Sequence, residues 1–168
     1  MSWPVARSVS ATRRPAGPLT VAQYQAWVDS QRLEHEIQQA VAAILPAVLP
    51  ANVAWTAVDH AAKLSTVGPG GKIVPSGQAV QRKRRGVRAG QADFRFVLPP
   101  SGRSAEIELK RTVGGRQSVD QAAWEAWITA SGGLYAVARS EREVLAILVG
   151  WGVRLVDGPM ARRFGYGD

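Results

Sequence analysis

The chain has 168 residues, of which 21 are lysine or arginine and 13 are aspartate or glutamate, so its formal net charge is +8 at neutral pH. This length supports one domain with a hydrophobic core, and the basic balance favours a polyanionic partner, above all nucleic acid, over an acidic small molecule. The absence of cysteine excludes disulfides and thiolate metal sites, and no apolar run approaches the ~20 residues of a membrane helix.

The first eighteen residues are rich in arginine and serine and contain no acidic residue. They lack the apolar middle of a secretion signal, and their composition is that of a mobile basic arm more often than that of an organellar transit peptide. We therefore expect a flexible basic arm over residues 1–18, one folded domain over 19–156 and a C-terminal tail over 157–168. The expected location is the cytoplasm.

The first half of the chain predicts a helix, a strand and a loop. Thr20 with Gln23 forms a capping-box pattern that opens a helical stretch, which Pro46 helps to close. Residues 53–58, VAWTAV, are dense in β-branched and aromatic types and predict a strand. Residues 63–77 contain many glycines and prolines with little periodicity and predict a loop, after which a short helix is predicted over 78–85.

Two alternating segments, ADFRFVL over 92–98 and SAEIELK over 104–110, predict neighbouring strands. The segment PPSG between them has turn-forming composition, so the strands should form an antiparallel hairpin. That loop length places Asp93 opposite Glu108 and Arg95 opposite Glu106. The second pairing is an ion pair, whereas two opposed carboxylates destabilise a hairpin unless a cation lies between them.

The opposed carboxylates therefore predict a site for a divalent metal ion, Mg²⁺ or Mn²⁺. Mg²⁺ prefers hard oxygen ligands and usually takes one or two carboxylates from the protein, together with water and substrate phosphate. Lys110 lies two residues beyond Glu108 on the same face of the strand, so its ammonium should reach the same position. A metal held there would polarise a phosphodiester and acidify its bound water.

The second half of the chain predicts a helix, a strand and a helix. Ser118 with Gln121 repeats the capping-box pattern, and two glycines at 132–133 end that helix. LYAVA over 134–138 reads as a short buried strand, and Ser140 caps the next helix. A strand-like RLV segment leads into the polar tail. The order αβββαβα predicts an α/β domain in which helices flank a central mixed sheet.

Asp93 followed by Glu108-Leu109-Lys110 on the next strand resembles the signature of the PD-(D/E)XK nuclease superfamily, with Ala92 in place of the common proline. The segments KRRGVRAGQADF, EIELK, SVDQ, GGLYAVARS and EVLAILVGWGV are similar to the VRR-NUC branch of that superfamily. The resemblance spans about residues 34–153, and residues 63–79 align with nothing in it. It implies a restriction-endonuclease-like core for the domain over 19–156.

The resemblance also implies roles for single residues. Asp93 and Glu108 would bind the metal, with the backbone carbonyl of Leu109 as a further ligand. Lys110 would orient or deprotonate the attacking water, or neutralise charge that builds up in the transition state. All four are predicted to form the catalytic centre.

Two further residues each have a site role and a structural role open to them. Glu34 lies at the border of the apolar stripe of its helix, and EHEIQQ resembles the family's first-helix acid, so Glu34 is either a metal or water ligand or a surface acid. Gln121 corresponds to a glutamine near the family's active site, but it can also cap the backbone of Ser118. Glu106 is assigned to Arg95 and not to the metal.

A run of cations, which we call the basic cluster, directly precedes the hairpin: Arg82, Lys83, Arg84, Arg85 and Arg88. Beside a metal site these cations would contact phosphates irrespective of sequence, and Arg111 and Arg116 extend the predicted DNA contacts. The aromatic side chains of Trp124, Trp127 and Trp151 lie on helical faces and are interpreted as core residues, not as base-stacking platforms.

With the resemblance, these features predict a Mg²⁺- or Mn²⁺-dependent DNA nuclease. The specific expectation is a structure-selective endonuclease of replication, repair or recombination that acts on duplex or branched DNA. The alternative is a catalytically inactive nucleic-acid-binding module with the same fold. RNA stays open as the substrate because backbone contacts do not distinguish the sugar, and so does assembly into a homo-oligomer.

Overall fold

The computed structural model of the chain describes residues 20, 21, 23, 32–58, 65–67 and 73–167. The helices are Glu34–Val48 (α1), Gly77–Arg84 (α2), Val119–Ala130 (α3), Glu141–Gly150 (α4) and Pro159–Arg163 (α5). The strands are Ala54–Ala57 (β1), Ser65–Val67 (β2), Ile73–Pro75 (β3), Phe94–Leu98 (β4), Arg103–Leu109 (β5) and Leu134–Ala138 (β6). The structure is thus α/β, as predicted.

The four strands β1, β4, β5 and β6 form one mixed sheet in the order β1-β4-β5-β6. β4 pairs antiparallel with β1 and with β5, whereas β6 pairs parallel with β5 after the crossover through α3. Arg95 lies opposite Glu106 and Phe94 lies opposite Ile107, which confirms the register predicted from the loop length. By the same register Asp93, one residue before β4, falls opposite Glu108.

One face of this sheet is apolar and packs on α1 and α4. The strand residues that alternate onto it are fully buried: Phe94, Phe96, Ala105, Ile107 and Leu109. The helices cover them with Ile37, Val41, Leu45, Val144, Leu145 and Leu148. Since burying one large apolar side chain stabilises the fold by about 1.5–3 kcal/mol, this layer fixes β4 and β5 and therefore the side chains on their other face.

The opposite face of the same strands is charged. Glu106, Glu108 and Lys110 alternate onto it from β5 and its end, and all three are at most 4% exposed. α3 packs against β6 on the way between β5 and β6, yet none of its twelve residues, all of them described, is fully buried. The polar contacts of α3 thus replace the apolar layer that an ordinary sheet-covering helix provides.

The interpretation of the tryptophans as core residues is wrong for Trp127, which is 49% exposed. Trp124 is half-buried and contacts charged groups. Trp151 packs against the hydrophobic core, as expected. The reason for the error is that α3 lies on a charged sheet face, where helical periodicity does not indicate an apolar partner.

Other segments also differ from the predictions. The expected loop over 63–77 contains β2 and β3, an antiparallel pair in which Ser65 faces Pro75, because STV and IVP are rich in β-branched residues. α1 continues through Pro46 to Val48. The RLV segment is not a strand, although the N–H of Val156 bonds the carbonyl of Val48 at 2.8 Å, and the polar tail contains α5, whose Ala161 is buried in the core.

The capping box at Thr20 and Gln23 is confirmed by both of its hydrogen bonds, of 2.9 and 3.2 Å. The part of the predicted helical stretch from residue 24 to residue 31 lies outside the described residues, as does the predicted basic arm over 1–18. In the part of the chain that is described, no helix combines the length and the apolar character needed to cross a membrane.

Candidate functional site

Asp93, one residue before β4, and Glu108 in β5 lie at the open end of the β4–β5 hairpin, and the charge of Asp93 acts on the carboxyl group of Glu108. Asp93 Oδ2 accepts a hydrogen bond of 2.7 Å from the backbone N–H of Leu109, and the Asp93 carbonyl accepts one of 2.8 Å from the N–H of Val58. These two bonds tie the residue before β4 to its neighbouring strands. The structure therefore brings the two predicted metal ligands together.

Glu108 is a buried acid with one engaged and one unengaged oxygen. Its side chain is 3% exposed, and Oε1 accepts hydrogen bonds from Lys110 Nζ and from the side-chain amide of Gln121. Oε2 is buried and has no hydrogen-bond partner among the described residues. A buried carboxylate oxygen without a partner is costly, so this atom is the feature of the site that calls for a ligand.

The electrostatic surroundings of Glu108 hold it near the boundary between its two protonation states. Burial of the carboxyl and, next, the charge of Asp93 raise its pKa from 4.5 to about 7, while the hydrogen bond and charge of Lys110 act in the opposite direction. The charge of Glu34 makes a smaller contribution that also raises the pKa. A cation bound between the carboxyls would reverse the effect of Asp93 and favour the ionised form.

The donor set fits a hard divalent ion that keeps most of its coordination for water and substrate. Asp93 and Glu108 supply two carboxylates, and the carbonyl of Leu109, the third predicted ligand, belongs to the last residue of β5. Within the described ranges no group of three or more histidine, cysteine, aspartate or glutamate side chains is arranged to hold a metal ion. Mg²⁺, which needs only one or two carboxylates, suits such a pair better than a metal that requires a full protein cage.

Lys110 lies where the alternation of β5 predicts it. Its side chain is 5% exposed, with Nζ on Glu108 Oε1, and its backbone N–H donates to the carbonyl of Ala138 at 2.9 Å. The bond to β6 fixes the direction of the side chain. The ammonium of Lys110 and the carboxyl of Glu108 therefore form a buried pair, beside which lies the partly buried Asp93.

Gln121 caps its helix, as one of its two predicted roles requires, and at the same time contacts Glu108. Its Oε1 accepts the backbone N–H of Ser118 at 2.8 Å, while its own N–H donates to Ser118 Oγ at 3.2 Å. Its amide nitrogen, which the cap does not use, donates to Glu108 Oε1. The N-terminus of α3 is thus linked directly to the buried acid.

Glu34 lies at the edge of the site and not at its centre. It is exposed at the start of α1, and its Oε1 is 3.4 Å from the backbone nitrogen of Arg111. Glu34, Arg111 and Arg116 line a shallow depression of about 530 Å³. Glu34 is thus close enough to influence the pKa of Glu108, and its two alternatives, metal or water ligand and surface acid, both stay predictions.

Glu106 differs from Glu108 in having both oxygens engaged. Oε1 lies 3.1 Å from Arg95 Nε, and Oε2 accepts the indole N–H of Trp124 at 2.6 Å. The cross-strand ion pair predicted for Arg95 is thereby confirmed. Of the two acids on this face of β5, only Glu108 retains an oxygen for a ligand.

A cleft of about 1090 Å³ opens beside the acids, between α2, the following loop and α3. Three members of the basic cluster line it, Arg82, Lys83 and Arg88, whereas the other two, Arg84 and Arg85, are exposed at the end of α2. Gln121 also lines the cleft and bonds Glu108, so the cleft and the acid pair are adjacent.

A glycine in the lining of this cleft allows a close contact between two backbone segments. Gly90 has φ +81°, and a Cβ there would overlap the carbonyl oxygen of Asp120 at the start of α3. The loop after α2 therefore touches the first turn of α3 directly, which only glycine permits. This contact carries Arg88 over α3, where its guanidinium carbon lies 4.7 Å from the ring centre of Trp127.

Sequence reasoning missed two residues of the site, Trp124 of α3 and Tyr135 of β6. Trp124 holds Glu106, and Tyr135 lies beside Glu106 in the parallel β5–β6 register. The Tyr135 hydroxyl is buried, and its pKa is raised mainly by burial and then by the charge of Glu108. The parallel pairing of LYAVA with β5 is the signal that could have found Tyr135, because alternation places every second residue of β6 on the charged face.

Comparison of the chain with known protein families, with curated proteins and with solved structures finds no significant match. The resemblance to VRR-NUC nucleases therefore rests on the motif residues of this chain alone.

Proposed function

We propose that the chain is a Mg²⁺- or Mn²⁺-dependent deoxyribonuclease with a restriction-endonuclease-like core. The observation that supports this most directly is the buried Glu108 carboxyl group, whose Oε2 lacks a hydrogen-bond partner among the described residues while the acid of Asp93 lies next to it. A strand face that merely carried surface charges would leave such groups in water. A shared divalent ion gives both acids a partner.

The residues around the acid pair would each have a separate role in phosphodiester hydrolysis. When bound, the metal would polarise the scissile phosphate and lower the pKa of its water. Asp93 and Glu108 would hold it, with the carbonyl of Leu109. Gln121 fixes the rotamer of Glu108 through Oε1, and Lys110 places a positive charge beside the carboxylates, where it orients the attacking water or stabilises the negative charge of the transition state.

The surroundings of the acids favour a nucleic acid as the substrate, and the resemblance to VRR-NUC nucleases points to DNA. The basic cluster contributes five cations, three of which line the adjoining cleft. A nucleic-acid strand whose phosphates followed these cations would pass the acid pair. Such contacts act on the backbone irrespective of base sequence. A structure-selective endonuclease of replication, repair or recombination, acting on duplex or branched DNA, is the specific form of the proposal.

The test is cleavage of a supercoiled plasmid and of flap, splayed-arm, four-way and linear duplex DNA with Mg²⁺ or Mn²⁺. Lys110→Ala and Glu108→Gln should each lower the cleavage rate by about 100-fold or more, as the loss of a catalytic charge does. Glu106→Gln is the matched control, because it changes the neighbouring buried acid of the same strand, and it should stay within a few-fold of wild type. Equal rates in wild type and all three variants would defeat the proposal.

A catalytically inactive nucleic-acid-binding module is the second candidate. The finding that favours it is the lack of a group of three or more metal-binding side chains within the described residues. In that case wild type would bind the same DNA substrates in EDTA but cut none of them with either metal. Matched DNA and RNA duplexes in the same assay decide between the two nucleic acids.

A further inference from the structure

We propose that the cleft beside the acid pair contains a subsite for one unpaired nucleobase of a DNA strand, formed by Trp127 with Trp124 and Arg88. The inference rests on the proposed function and extends it, because it names the part of a branched substrate that this cleft takes. It depends on the side chains of α3 and of the loop before β4.

The first observation is the exposure of Trp127. Its side chain lines the cleft and is 49% exposed, although indole is among the largest apolar groups available for a core. A single exposed apolar residue carries little meaning by itself. The exposure of Trp127 is informative here because neighbouring side chains hold its ring in place.

The second observation is that the indole pair is fixed in place. Trp124 and Trp127 meet edge to face, with ring centres 5.2 Å apart and planes at 87°. Trp124 is anchored beneath by its N–H bond of 2.6 Å to the buried Glu106 and by the guanidinium of Arg95, 5.3 Å from its ring centre. Trp127 is therefore presented to the cleft on a rigid support, as a stacking platform must be.

The third observation is that a planar cation already occupies a ring face of Trp127. The guanidinium of Arg88 lies 4.7 Å from the ring centre, and no acid pairs with Arg88 in the described part of the chain. A nucleobase presents a flat π surface of the same kind to an indole. On binding it would take this face and leave Arg88 to pair with a phosphate of the same strand.

The fourth observation is the relation of this platform to the acids. Gln121, which bonds Glu108, and Trp127 both line the cleft, and they are separated by six residues of α3, a rise of about 9 Å along the helix axis. About three stacked nucleotides of one strand span such a distance. The described lining of the cleft contains three cations, Arg82, Lys83 and Arg88, and one acid, Asp120. This excess of positive charge suits the phosphates of a nucleic-acid strand.

The base must be unpaired, because the two faces of a base inside a duplex are covered by its neighbours. A platform of this kind takes bases of any identity, since each has a π face. The subsite therefore selects unpaired positions over continuous duplex, and it does so without reading sequence.

The experiment measures binding in EDTA, where cleavage does not occur, with two fluorescein-labelled DNA strands of equal length. One is an eight-nucleotide thymidine oligomer, and the other has the same phosphates and sugars but no bases. Wild type should bind the thymidine strand about 5- to 150-fold more tightly, which corresponds to one stacked base, and that strand should quench its tryptophan emission. Trp127→Ala should bind both strands equally, with Trp127→Phe recovering part of the preference.

Trp55→Phe is the matched control, because Trp55 packs against Phe94 in the core; it should keep the full preference. The inference is overturned if wild type binds both strands equally, or if Trp127→Ala retains the preference. Plasmid cleavage scored on the same preparations separates the two proposals. Cleavage without a base preference overturns the subsite alone, and a base preference without cleavage by either metal overturns the nuclease and not the subsite.

Discussion

Replacing Glu108 with glutamine is expected to make the metal-free protein more stable at pH 8. Burial and the charge of Asp93 raise the pKa of Glu108 from 4.5 to about 7, so the folded protein binds this proton more tightly than the unfolded chain. The stability that depends on the proton is fully present below pH 4.5 and is lost as the pH rises from 4.5 to 7. Glutamine is neutral throughout and does not lose it.

The size of the effect follows from the two pKa values. The interval from 4.5 to about 7 corresponds to about 3 kcal/mol at high pH, because each pKa unit is worth about 1.36 kcal/mol. Integration over pH gives a loss of less than about 1 kcal/mol at pH 5 and of about 3 kcal/mol at pH 8. The difference in unfolding free energy between the variant and wild type should therefore widen by about 2 kcal/mol over this range.

Urea denaturation of both proteins in EDTA at pH 5, 6, 7 and 8 measures this difference. Titrating groups that do not interact with Glu108 are shared by the two proteins, so their contributions cancel in the comparison. A difference that stays constant between pH 5 and pH 8, or a wild type that gains stability over the variant as the pH rises, would refute the reasoning. Either result would mean that water or a counter-charge reaches Glu108.

Three further outcomes are expected. Gly90→Ala should lower the unfolding free energy by more than about 2 kcal/mol, because the strain of a positive φ adds to the overlap with α3. Gly86→Ala, at a similar φ but with open space around it, should cost about 1 kcal/mol. Thermal unfolding of the two variants measures the difference. Gln121→Ala should slow cleavage while Ser118→Ala, which removes only the cap, should leave the rate unchanged. DNA affinity should fall by about 500-fold between 50 and 200 mM salt if the five cations of the basic cluster all contact phosphate, as a fluorescence titration would measure.

The hairpin and its charged face could be predicted from the sequence because both depend on local rules. The length of the turn fixed the register of β4 on β5, and strict alternation then placed Asp93, Glu108 and Lys110 together. The capping box of Gln121 was equally local. No knowledge of the rest of the fold was needed for these features.

The surroundings of the site could not be predicted, because they depend on contacts between distant segments. The burial of Glu106 and Glu108 requires α3 to lie on a polar sheet face, and the periodicity of α3 resembles that of a helix packed on an apolar one. Trp127 was misread for this reason. The burial of Ala161 likewise depends on the packing of α5 against α1, which a polar segment of glycines and arginines does not indicate.

Calorimetric titration of Mn²⁺ into the metal-free protein tests most directly whether Asp93 and Glu108 share an ion. Wild type and the control Glu106→Gln should each bind one ion per chain, and Asp93→Asn and Glu108→Gln should each weaken binding by more than about 100-fold, since loss of a supporting residue alone costs 10- to 100-fold. The account would be contradicted if Asp93→Asn or Glu108→Gln bound Mn²⁺ as tightly as wild type does, or if wild type bound no Mn²⁺.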